Sequence, residues 1–482
     1  MRGEGRSMSA PAPVGLKTIF KEMMGTISGK LGVAIIIFLI ILSMAVPVYT
    51  SPGTIKKWNN PKAWVDYPKC AAPGWADLFT KKTYCRNMVF NPQDFYKYSE
   101  SIGGIYRVIY LIGVIEYNYD SFPNIMDGFK ISLITNSSEN LLVNITLMRP
   151  DDLSATLWSD SIYVTGQTLP IVTELSAMDH DIKKGTCTFI RRVTGENIDW
   201  KGVIPHIALF AKVDPNMNDP CKAEVLKGKY KLLIWAITYD PDADLDAKFI
   251  VYGSVYGLAG TDARGRDITI GILWGAPIAL AFGLMASVIL GFLHAIFGVM
   301  AGWFGGKIDE VIQRATEMLM IIPTMPILIL ISFLFRVNVW TLIAILVALN
   351  PLGGSTLTIR SMVLQIKEEQ HILAALAYGS SNYRIMFKHI FPRILPYMVV
   401  GIVMSVPGYI FLEASLSILG LGEPTLPTWG KILSDAFNHR ALYLGWWWWI
   451  LIPATLIIIT AFAFGLLGYS LDKIVNPRLR EI

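Results

Sequence analysis

Ionisable side chains inside long apolar segments are the first residues in this sequence that suggest chemistry. Glu413 lies in the apolar run 395–419 with Ser417 one helical turn after it, and His294 lies in the run 268–303. A charge placed in a bilayer core is costly, and such charges usually serve function. We therefore predict that Glu413 and Ser417 line a translocation pathway.

The source of energy for such a pathway is not visible in the chain itself. A proton- or sodium-driven carrier would need more carboxylates near the midplane, or broken helices in matching halves. The nearest approach to a phosphate-binding loop, "GTISGKL" at Gly25–Leu31, has the wrong spacing and no Ser or Thr after its Lys. Metalloprotease and serine-hydrolase motifs are also missing. We expect no enzyme activity, no catalytic residue, no metal site and no cofactor bound by this chain.

All four cysteines, Cys70, Cys85, Cys187 and Cys221, lie between residues 51 and 257. This distribution is typical of a segment exposed to an oxidising exterior, where disulfides persist. Four cysteines allow three pairings; proximity in sequence favours Cys70 with Cys85 and Cys187 with Cys221. A zinc site is the alternative, but no C-x-x-C spacing supports it.

The same segment holds three further features of possible chemical use. Asn136 and Asn144 begin N-glycosylation sequons, which become glycans only in a host that glycosylates. The stretch "DPDADLD", Asp240–Asp246, could bind Ca²⁺ but lacks the Gly and distal Glu of an EF-hand loop, so a solvated acidic turn is favoured. Its tryptophans could form either a core or a sugar-stacking face, and the sequence leaves both open.

The elements that position these residues are mostly membrane-spanning helices. Hydrophobic residues make up 53% of the 482 residues and charged residues 16%, and six runs are long enough to cross a bilayer core of about 30 Å. The first could be a signal peptide, but it is too long and lacks a convincing cleavage site, so an uncleaved anchor is favoured. The six predicted helices lie near residues 31–50, 268–303, 311–335, 339–357, 395–419 and 446–467.

Lys and Arg collect in the segments that six helices place on one side of the membrane. Those segments are the tail 1–30, residues 307–314, residues 360–393 and the tail 473–482. By the positive-inside rule this side is cytoplasmic, which puts both termini inside and residues 51–257 outside. The net charge of +5 is small and forms no basic stripe, so we expect the lipid bilayer, and no nucleic acid, as a partner.

Residues 51–257 differ in texture from the rest of the chain. Apolar and polar residues alternate between turn residues in "LLVNITLMRP", "ATLWSDSIYVTG", "YKLLIWAITYDPDAD" and "DAKFIVYGSVYG". Alternation of this kind indicates strands that are buried on one face. The fold class predicted from sequence is therefore an α-helical polytopic membrane protein with an inserted, mainly-β, sandwich-like extracytoplasmic domain.

A half-polar segment, residues 365–393, interrupts the apolar runs on the cytoplasmic side. Its first part has helical periodicity up to Gly379, which suits a left-handed cap because glycine lacks a Cβ. Ser380 and Ser381 are good N-caps for a second short helix through "NYRIMFKHI", and Pro392 is expected to end it. The pattern predicts a helix, a tight turn and a helix, which form a knob that carries Arg384, Lys388, His389 and Arg393. The alternative is a basic loop that contacts lipid headgroups.

Spacing within this knob resembles the cytoplasmic EAA loop of ABC-importer permeases. Ala374, Ala375, Gly379, Ile390 and Pro392 occupy the matching positions, whereas Leu373 stands where that pattern usually has Glu. "GTDARGRD", Gly260–Asp267, "AGWFGGKID", Ala301–Asp309, and "EASLSILGLG", Glu413–Gly422, followed by "PTWG", look like segments of the dipeptide, oligopeptide and nickel permeases. The resemblance covers about residues 257–480 and identifies the chain as a member of that family, of the second-permease or C type.

The resemblance implies the type I ABC importer permease fold, with residues 258–472 as a five-helix core after the first helix. It implies partners as well: a second homologous permease, two cytoplasmic ATPases that bind ATP and Mg²⁺, and an extracellular substrate-binding protein. The residues that it assigns to ATPase coupling are Ala374, Ala375, Gly379, Ser381, Arg384, Lys388, Ile390 and Pro392. Those that it assigns to an outer-gate loop are Gly260, Thr261, Asp262, Gly265, Arg266 and Asp267.

Short peptides are the expected substrate, on the frequency of peptide transporters in this family. Two alternatives stay open: the same machinery could import oligosaccharides, or the chain could be an anchored surface receptor or docking protein. One helix would be enough for an anchor, so six helices favour the permease.

Overall fold

A computed structural model of the chain describes residues 16–164, 168–335 and 337–475. The terminal parts of the two predicted cytoplasmic tails, residues 1–15 and 476–482, lie outside the described residues. The chain forms two compact units, one made of Lys57–Thr269 and the other of the chain on either side of it. We call them the β unit and the helical unit.

The described residues of the β unit form two antiparallel sheets, which confirms the predicted mainly-β domain. Its five-stranded sheet has the order β2-β3-β8-β5-β6, and its four-stranded sheet the order β1-β9-β4-β7. Side chains alternate between buried and partly exposed along β4, as the period of a strand requires. The strands are β1 (Met88–Phe90), β2 (Tyr96–Ile102), β3 (Tyr106–Tyr117), β4 (Phe129–Thr135), β5 (Leu141–Met148), β6 (Ser154–Ile162), β7 (Ile171–Ser176), β8 (Gly228–Thr238) and β9 (Leu245–Val251).

The helices of both units, in chain order, are α1 (Leu16–Met23), α2 (Ile27–Tyr49), α3 (Pro52–Lys57), α4 (His180–Thr194), α5 (Pro205–Ala208), α6 (Ile268–Phe304), α7 (Gly306–Ile321), α8 (Thr324–Leu334), α9 (Val339–Leu349), α10 (Gly354–Lys367), α11 (Gln370–Ala377), α12 (Asn382–Ile385), α13 (Phe391–Ile418), α14 (Trp429–Asn438) and α15 (Trp447–Val475). A π-helical segment, Met386–Ile390, joins α12 to α13. Within the β unit, α4 packs on the edge strand β6.

Tryptophans of the β unit include core residues, which answers in part a question left open by the sequence. Trp58, Trp64 and Trp158 are buried. Trp64 donates its indole N–H to the Trp58 carbonyl at 3.2 Å, and the two rings meet edge to face. These three side chains therefore stabilise the unit and offer no flat face to a sugar.

The predicted disulfides are wrong in this structure, where all four cysteines are free thiols. The backbone of Val255 pairs with Ala72 on one side and with Arg86 on the other. Cys70 and Cys85 thus lie on chain segments separated by an intervening one, and two strand spacings of about 4.8 Å exceed the reach of a disulfide. Cys187 donates its thiol to the Ile198 carbonyl, whereas Cys221 is exposed.

Within its described residues, the helical unit has four helices that are long and apolar enough to cross a membrane, or six spans if each of two bent pairs counts as one. The four are α2, α6, the continuous helix Asn382–Ile418, and α15. The bent pairs are α7 with α8, at 71°, and α9 with α10, at 50°. The third and fourth spans predicted from sequence are therefore broken helices.

Pro392 does not end a helix, contrary to the prediction from sequence. It lies in the first turn of α13, and the helical backbone continues through it from Asn382 to Ile418. A proline inside a continuous helix removes one backbone hydrogen bond and clashes with the preceding turn. The π-helical segment directly before it also changes the hydrogen-bond pattern that proline interrupts. The second helix of the knob is thus the first part of the fifth span.

The thiols provide a test of this fold. We expect a maleimide to label Cys221 rapidly in the native protein and to leave Cys70 and Cys85 unlabelled, because burial raises the pKa of both buried thiols to about 12 and the thiolate is the reactive form. The measurement is mass spectrometry of the labelled chain, with Cys221→Ser as the control that loses the rapid reaction. All four thiols should react after unfolding without a reductant; any shortfall would indicate a disulfide and contradict the structure.

Candidate functional site

The knob predicted from sequence forms around Gly379. Its α11 ends at Ala377, and Gly379 has φ +76°, a left-handed conformation that glycine adopts without a steric penalty. The N–H of Ser380 donates to the Ala375 carbonyl at 3.1 Å, and that of Gly379 to the Leu376 carbonyl at 2.9 Å. This is the Schellman arrangement, which satisfies the last carbonyls of a helix. Ser381 is the N-cap of α12 by its extended backbone, without a capping side-chain hydrogen bond.

One side of the knob is buried in a cluster of apolar side chains. Ile372, Ile385 and Ile390 are fully buried, and they pack in one cluster with side chains of α6 and α10, among them Val299, Trp303, Ile359 and Val363. Burying an isoleucine contributes about 1.5–3 kcal/mol relative to exposure. The knob is therefore attached to α6, the second span, and to α10, the second half of the fourth span.

Polar contacts reinforce the same attachment. Arg393 pairs with Glu369 across the two arms of the knob, and Lys367 donates to the Trp303 carbonyl at 3.0 Å while its ammonium lies over the Trp303 ring. Arg360 of α10 pairs with Asp309 of α7. These contacts join the start of the third span, the end of the second and the knob.

The opposite side of the knob exposes a group of large side chains. Tyr378 is 91% exposed, and Leu373, Leu376, Tyr383 and Phe387 are also exposed. Exposed apolar patches of this kind mark interaction sites. Of the predicted coupling residues, Ala374, Gly379, Ser381, Arg384, Lys388 and Pro392 lie exposed on the knob, Ala375 is half-buried, and Ile390 belongs to the buried cluster.

The predicted outer-gate loop, Gly260–Asp267, forms a compact loop in the β unit, and most of its polar side chains are buried. Asp262 accepts backbone hydrogen bonds from Arg264 and Arg266, and its other oxygen lies 2.5 Å from the Arg266 guanidinium. That guanidinium lies 4.7 Å from the Trp58 ring centre. The hydroxyl of Thr261 accepts from the Ala71 N–H and donates to the Pro68 carbonyl. The motif thus fastens the end of the β unit to the segment that begins it.

Backbone conformation explains the other residues of this motif. Gly260 and Gly265 have φ +75° and +78°, and a Cβ on Gly265 would lie 3.0–3.1 Å from two carbonyl oxygens of residues 64 and 67. Asp267 accepts the N–H of Thr269 at 2.8 Å and so orders the first turn of α6. The side chains of Asp262, Arg266 and Asp267 are all buried.

The two bent spans meet at a polar contact that sequence reasoning missed. Thr324, where α8 begins, donates to the side-chain oxygen of Asn350 at 2.9 Å, and Asn350 is the C-cap of α9. The His294 ring, noted in the sequence as an intramembrane group, lies 3.1 Å from the Asn350 carbonyl. In each of the two spans, the break lies about eleven helical residues, or roughly 16 Å, from one end of that span. That is near the middle of a 30 Å core.

The signal for this contact was present in the sequence but ambiguous. Pro323 and the pair Gly353–Gly354 interrupt apolar runs whose composition is otherwise that of straight spans. Polar side chains at such breaks satisfy backbone groups that lipid cannot. Recognition of the breaks would have required knowing that Thr324 and Asn350 face each other.

Glu413 and Ser417, the predicted pathway residues, face the interior of the helical unit. The Ser417 hydroxyl donates to the Glu413 carboxylate at 2.8 Å, and both side chains are buried. Gly430 at the start of α14 approaches them so closely that a Cβ there would lie 2.7 Å from Ser417. In this conformation they hold the loop after α13, and their pathway role stays a prediction.

The remaining candidate residues of the β unit are engaged in local contacts. Asp244 and Asp246 both pair with Lys97, and Asp240 accepts from the N–H and hydroxyl of Ser138. Within the described part of the chain, no three His, Cys, Asp or Glu side chains gather as a metal site would require. Asn136 is exposed and Asn144 half-buried; their glycosylation stays a prediction.

Comparison with known proteins gives one consistent result. Residues 294–481 match the family model described as the inner membrane component of binding-protein-dependent transport systems. The oligopeptide transport system permease protein OppC of Bacillus subtilis is 34% identical over 225 residues, which are 46% of this chain and 72% of that protein. The dipeptide transport system permease protein DppC of the same organism is 34% identical over 223 residues, 46% of this chain and 69% of that protein. OppC of Haemophilus influenzae is 32% identical over 226 residues, 47% and 71% of the two chains.

The buried ion pair Asp262–Arg266 provides a test of the structural role of the loop Gly260–Asp267. We expect Asp262→Asn to lower the free energy of unfolding of the β unit by about 3 kcal/mol, because it leaves a buried guanidinium without its carboxylate. The measurement is urea unfolding followed by tryptophan fluorescence. Arg264→Gln is the matched control, since Arg264 lies exposed in the same loop and should change stability by less than about 0.5 kcal/mol. Equal effects of the two variants would contradict this role.

Proposed function

The chain belongs to the family of inner membrane components of binding-protein-dependent transport systems, as a permease of the oligopeptide and dipeptide type, and from this premise we propose that it forms half of the translocation pathway of an ATP-driven importer of short peptides. A second homologous permease completes the pathway. Two ATPase subunits supply the energy, and an extracellular binding protein delivers the substrate.

The knob is the observation that carries this proposal. It combines an exposed apolar surface, which needs a partner, with a buried surface that is packed on α6 and α10. An ATPase that holds Leu376, Tyr378, Tyr383 and Phe387 would therefore displace two spans together with the knob. The spacing that resembles an ATPase-contacting loop lies at the same residues.

The mechanism uses ATP binding to change the equilibrium between two arrangements of the spans. Closure of the ATPase pair carries the knobs with it, and the spans move from inward-open to outward-open. A ligand shifts such an equilibrium only by its difference in affinity for the two states, so the knob must stay bound to its ATPase in both. The contact of Thr324 with Asn350 lies where two spans already bend. We propose that the angle between the two halves of these spans changes at this contact.

The orientation that this function requires puts the knob and both termini in the cytoplasm and the β unit outside. The basic residues of the knob support it, since Arg384 and Lys388 are exposed and short cytoplasmic loops are rich in Lys and Arg. Peptides are the proposed cargo because the most similar proteins reported above are named for peptide transport.

A double variant tests the role of the knob. We expect Leu376→Asp with Tyr378→Asp to abolish co-purification of the ATPase subunits and to reduce peptide uptake at least tenfold, because two charges replace an apolar contact surface. The spans should insert normally, since both side chains point away from the buried cluster and are exposed.

The matched control is Leu442→Asp with Tyr443→Asp, which changes the same two residue types at exposed positions between α14 and α15. This variant should co-purify with the ATPases at the wild-type ratio. Uptake and co-purification at the wild-type level in the knob variant, at equal expression, would refute the proposed coupling role.

A further inference from the structure

The five-stranded sheet of the β unit has an apolar outer face. Along β3, Ile109, Leu111 and Ile115 are buried in the core, so the residues between them lie on the opposite face of the strand. In an antiparallel sheet such a face is ordinarily polar. Here three adjacent cross-strand rows hold one charged side chain, Glu100. We call them the outer face: Asn144, Trp235, Tyr110 and Tyr98; Leu142, Ile237, Val108 and Glu100; and Thr146, Leu233, Ile112 and Tyr96.

Much of the outer face is open to solvent. Tyr96 is 69% exposed, Leu142 45% and Tyr98 37%, while Trp235 and Tyr110 are half-buried among their neighbours. Continuous apolar surface of this kind marks an interaction site. Its occupant must combine apolar surface with hydrogen-bonding groups, because tyrosine hydroxyls lie among the apolar side chains.

Asn144 lies within the outer face and begins a glycosylation sequon. Its neighbour Ile145 is buried in the core, and Thr146 lies on the outer face beside it. The Thr146 hydroxyl donates to the Asn144 side-chain oxygen at 2.9 Å. Within the described part of the chain, the Asn144 side-chain nitrogen has no hydrogen-bond partner. This nitrogen is therefore available for attachment of a group that lies on the outer face.

The surface next to Asn144 suits a sugar. Trp235 lies directly opposite Asn144 on β8, at the Cβ separation of about 5 Å that is usual for opposed residues. The row continues through Tyr110 to Tyr98 and so extends over three strand spacings, about 14 Å, from Asn144. A pyranose ring has C–H faces that pack on aromatic and aliphatic side chains, and hydroxyls that bond with tyrosine hydroxyls.

We propose that Asn144 carries an N-linked glycan whose first sugars lie across the outer face on Trp235, Tyr110 and Tyr98. The donor is a lipid-linked oligosaccharide with C1 of the first sugar bonded to phosphate. A bond forms between C1 and the Asn144 Nδ2, the bond from C1 to the phosphate oxygen breaks, and an amide proton leaves with the phosphate. Glycans are bulky and solubilising, so this one shields the outer face. The proposal goes beyond transport and needs from the proposed function only that the β unit lies outside.

The test uses the full chain purified from the membranes of its natural host. Cleavage after Glu139 separates the two sequons, and mass spectrometry of the resulting peptide reports on Asn144 alone. We expect that peptide to carry added sugar mass in the wild-type chain and in Thr146→Ser, which keeps the sequon, and to lose it in Thr146→Ala. Thr156→Ala is the matched control, because Thr156 pairs with Thr146 across the sheet but belongs to no sequon. It should keep the glycan.

A second measurement tests where the glycan lies. Oxidation of side chains by hydroxyl radicals follows their exposure, so Trp235 should lose protection in Thr146→Ala and keep it in Thr146→Ser and Thr156→Ala. Trp200 is the internal reference. It lies outside the outer face, in a short helical turn after α4, and should be oxidised equally in all four chains.

Two results would overturn the proposal: an unmodified Asn144 in the wild-type chain, or equal oxidation of Trp235 in the wild-type chain and in Thr146→Ala. A membrane-impermeant maleimide applied to intact cells separates the causes, since Cys221 is exposed. Labelled Cys221 with unmodified Asn144 overturns the glycan alone, whereas unlabelled Cys221 contradicts the proposed orientation and the glycan with it. Peptide uptake is a separate readout, because the knob variant should lose uptake and keep the glycan.

Discussion

Burial of three isoleucines of the knob against α6 and α10 is the interaction on which the rest of the helical unit depends. Ile372, Ile385 and Ile390 are fully buried and together contribute several kcal/mol, enough to keep the knob from opening locally. The attachment leaves the tyrosines, leucines and phenylalanine of the other side exposed. A knob without this buried side would be a loop that is free to move relative to α6 and α10.

The place where the third and fourth spans break is set by a second constraint. Backbone groups inside a bilayer must be satisfied within the protein, so a span can bend only where another group supplies the missing contact. Thr324 and Asn350 meet where the third and fourth spans both break. The glycines of α6 let this helix pack closely on α13, since a Cβ on Gly283 or Gly291 would collide with side chains of α13. The two unbroken spans that contain α6 and α13 thus lie beside the two bent spans, the third and the fourth.

The sequence predicted the parts that local rules determine. The turn at Gly379 followed from the need for a left-handed residue, and the strands of the β unit from strict alternation. The effect of Pro392 was misjudged because a π-helical segment, which has no sequence signature, precedes it. The disulfides were misassigned because sequence proximity says nothing of the segment at Val255 that separates Cys70 from Cys85. The packing of α4 on the edge strand β6 depends on the close approach of Gly185 to that strand, a tertiary contact that no local pattern predicts.

The most direct test of the account is a pair of spin-label distances in the complex with its ATPases, measured with and without ATP. One pair of labels, at Asn382 and Ser361, reports on the knob relative to α10. The other pair, at Leu330 and Ser361, reports on α8 relative to α10, across the break between α9 and α10. All three positions are exposed. The account predicts a constant first distance and a second distance that changes on ATP binding. A knob that moves relative to α10 while the second distance stays fixed would contradict it.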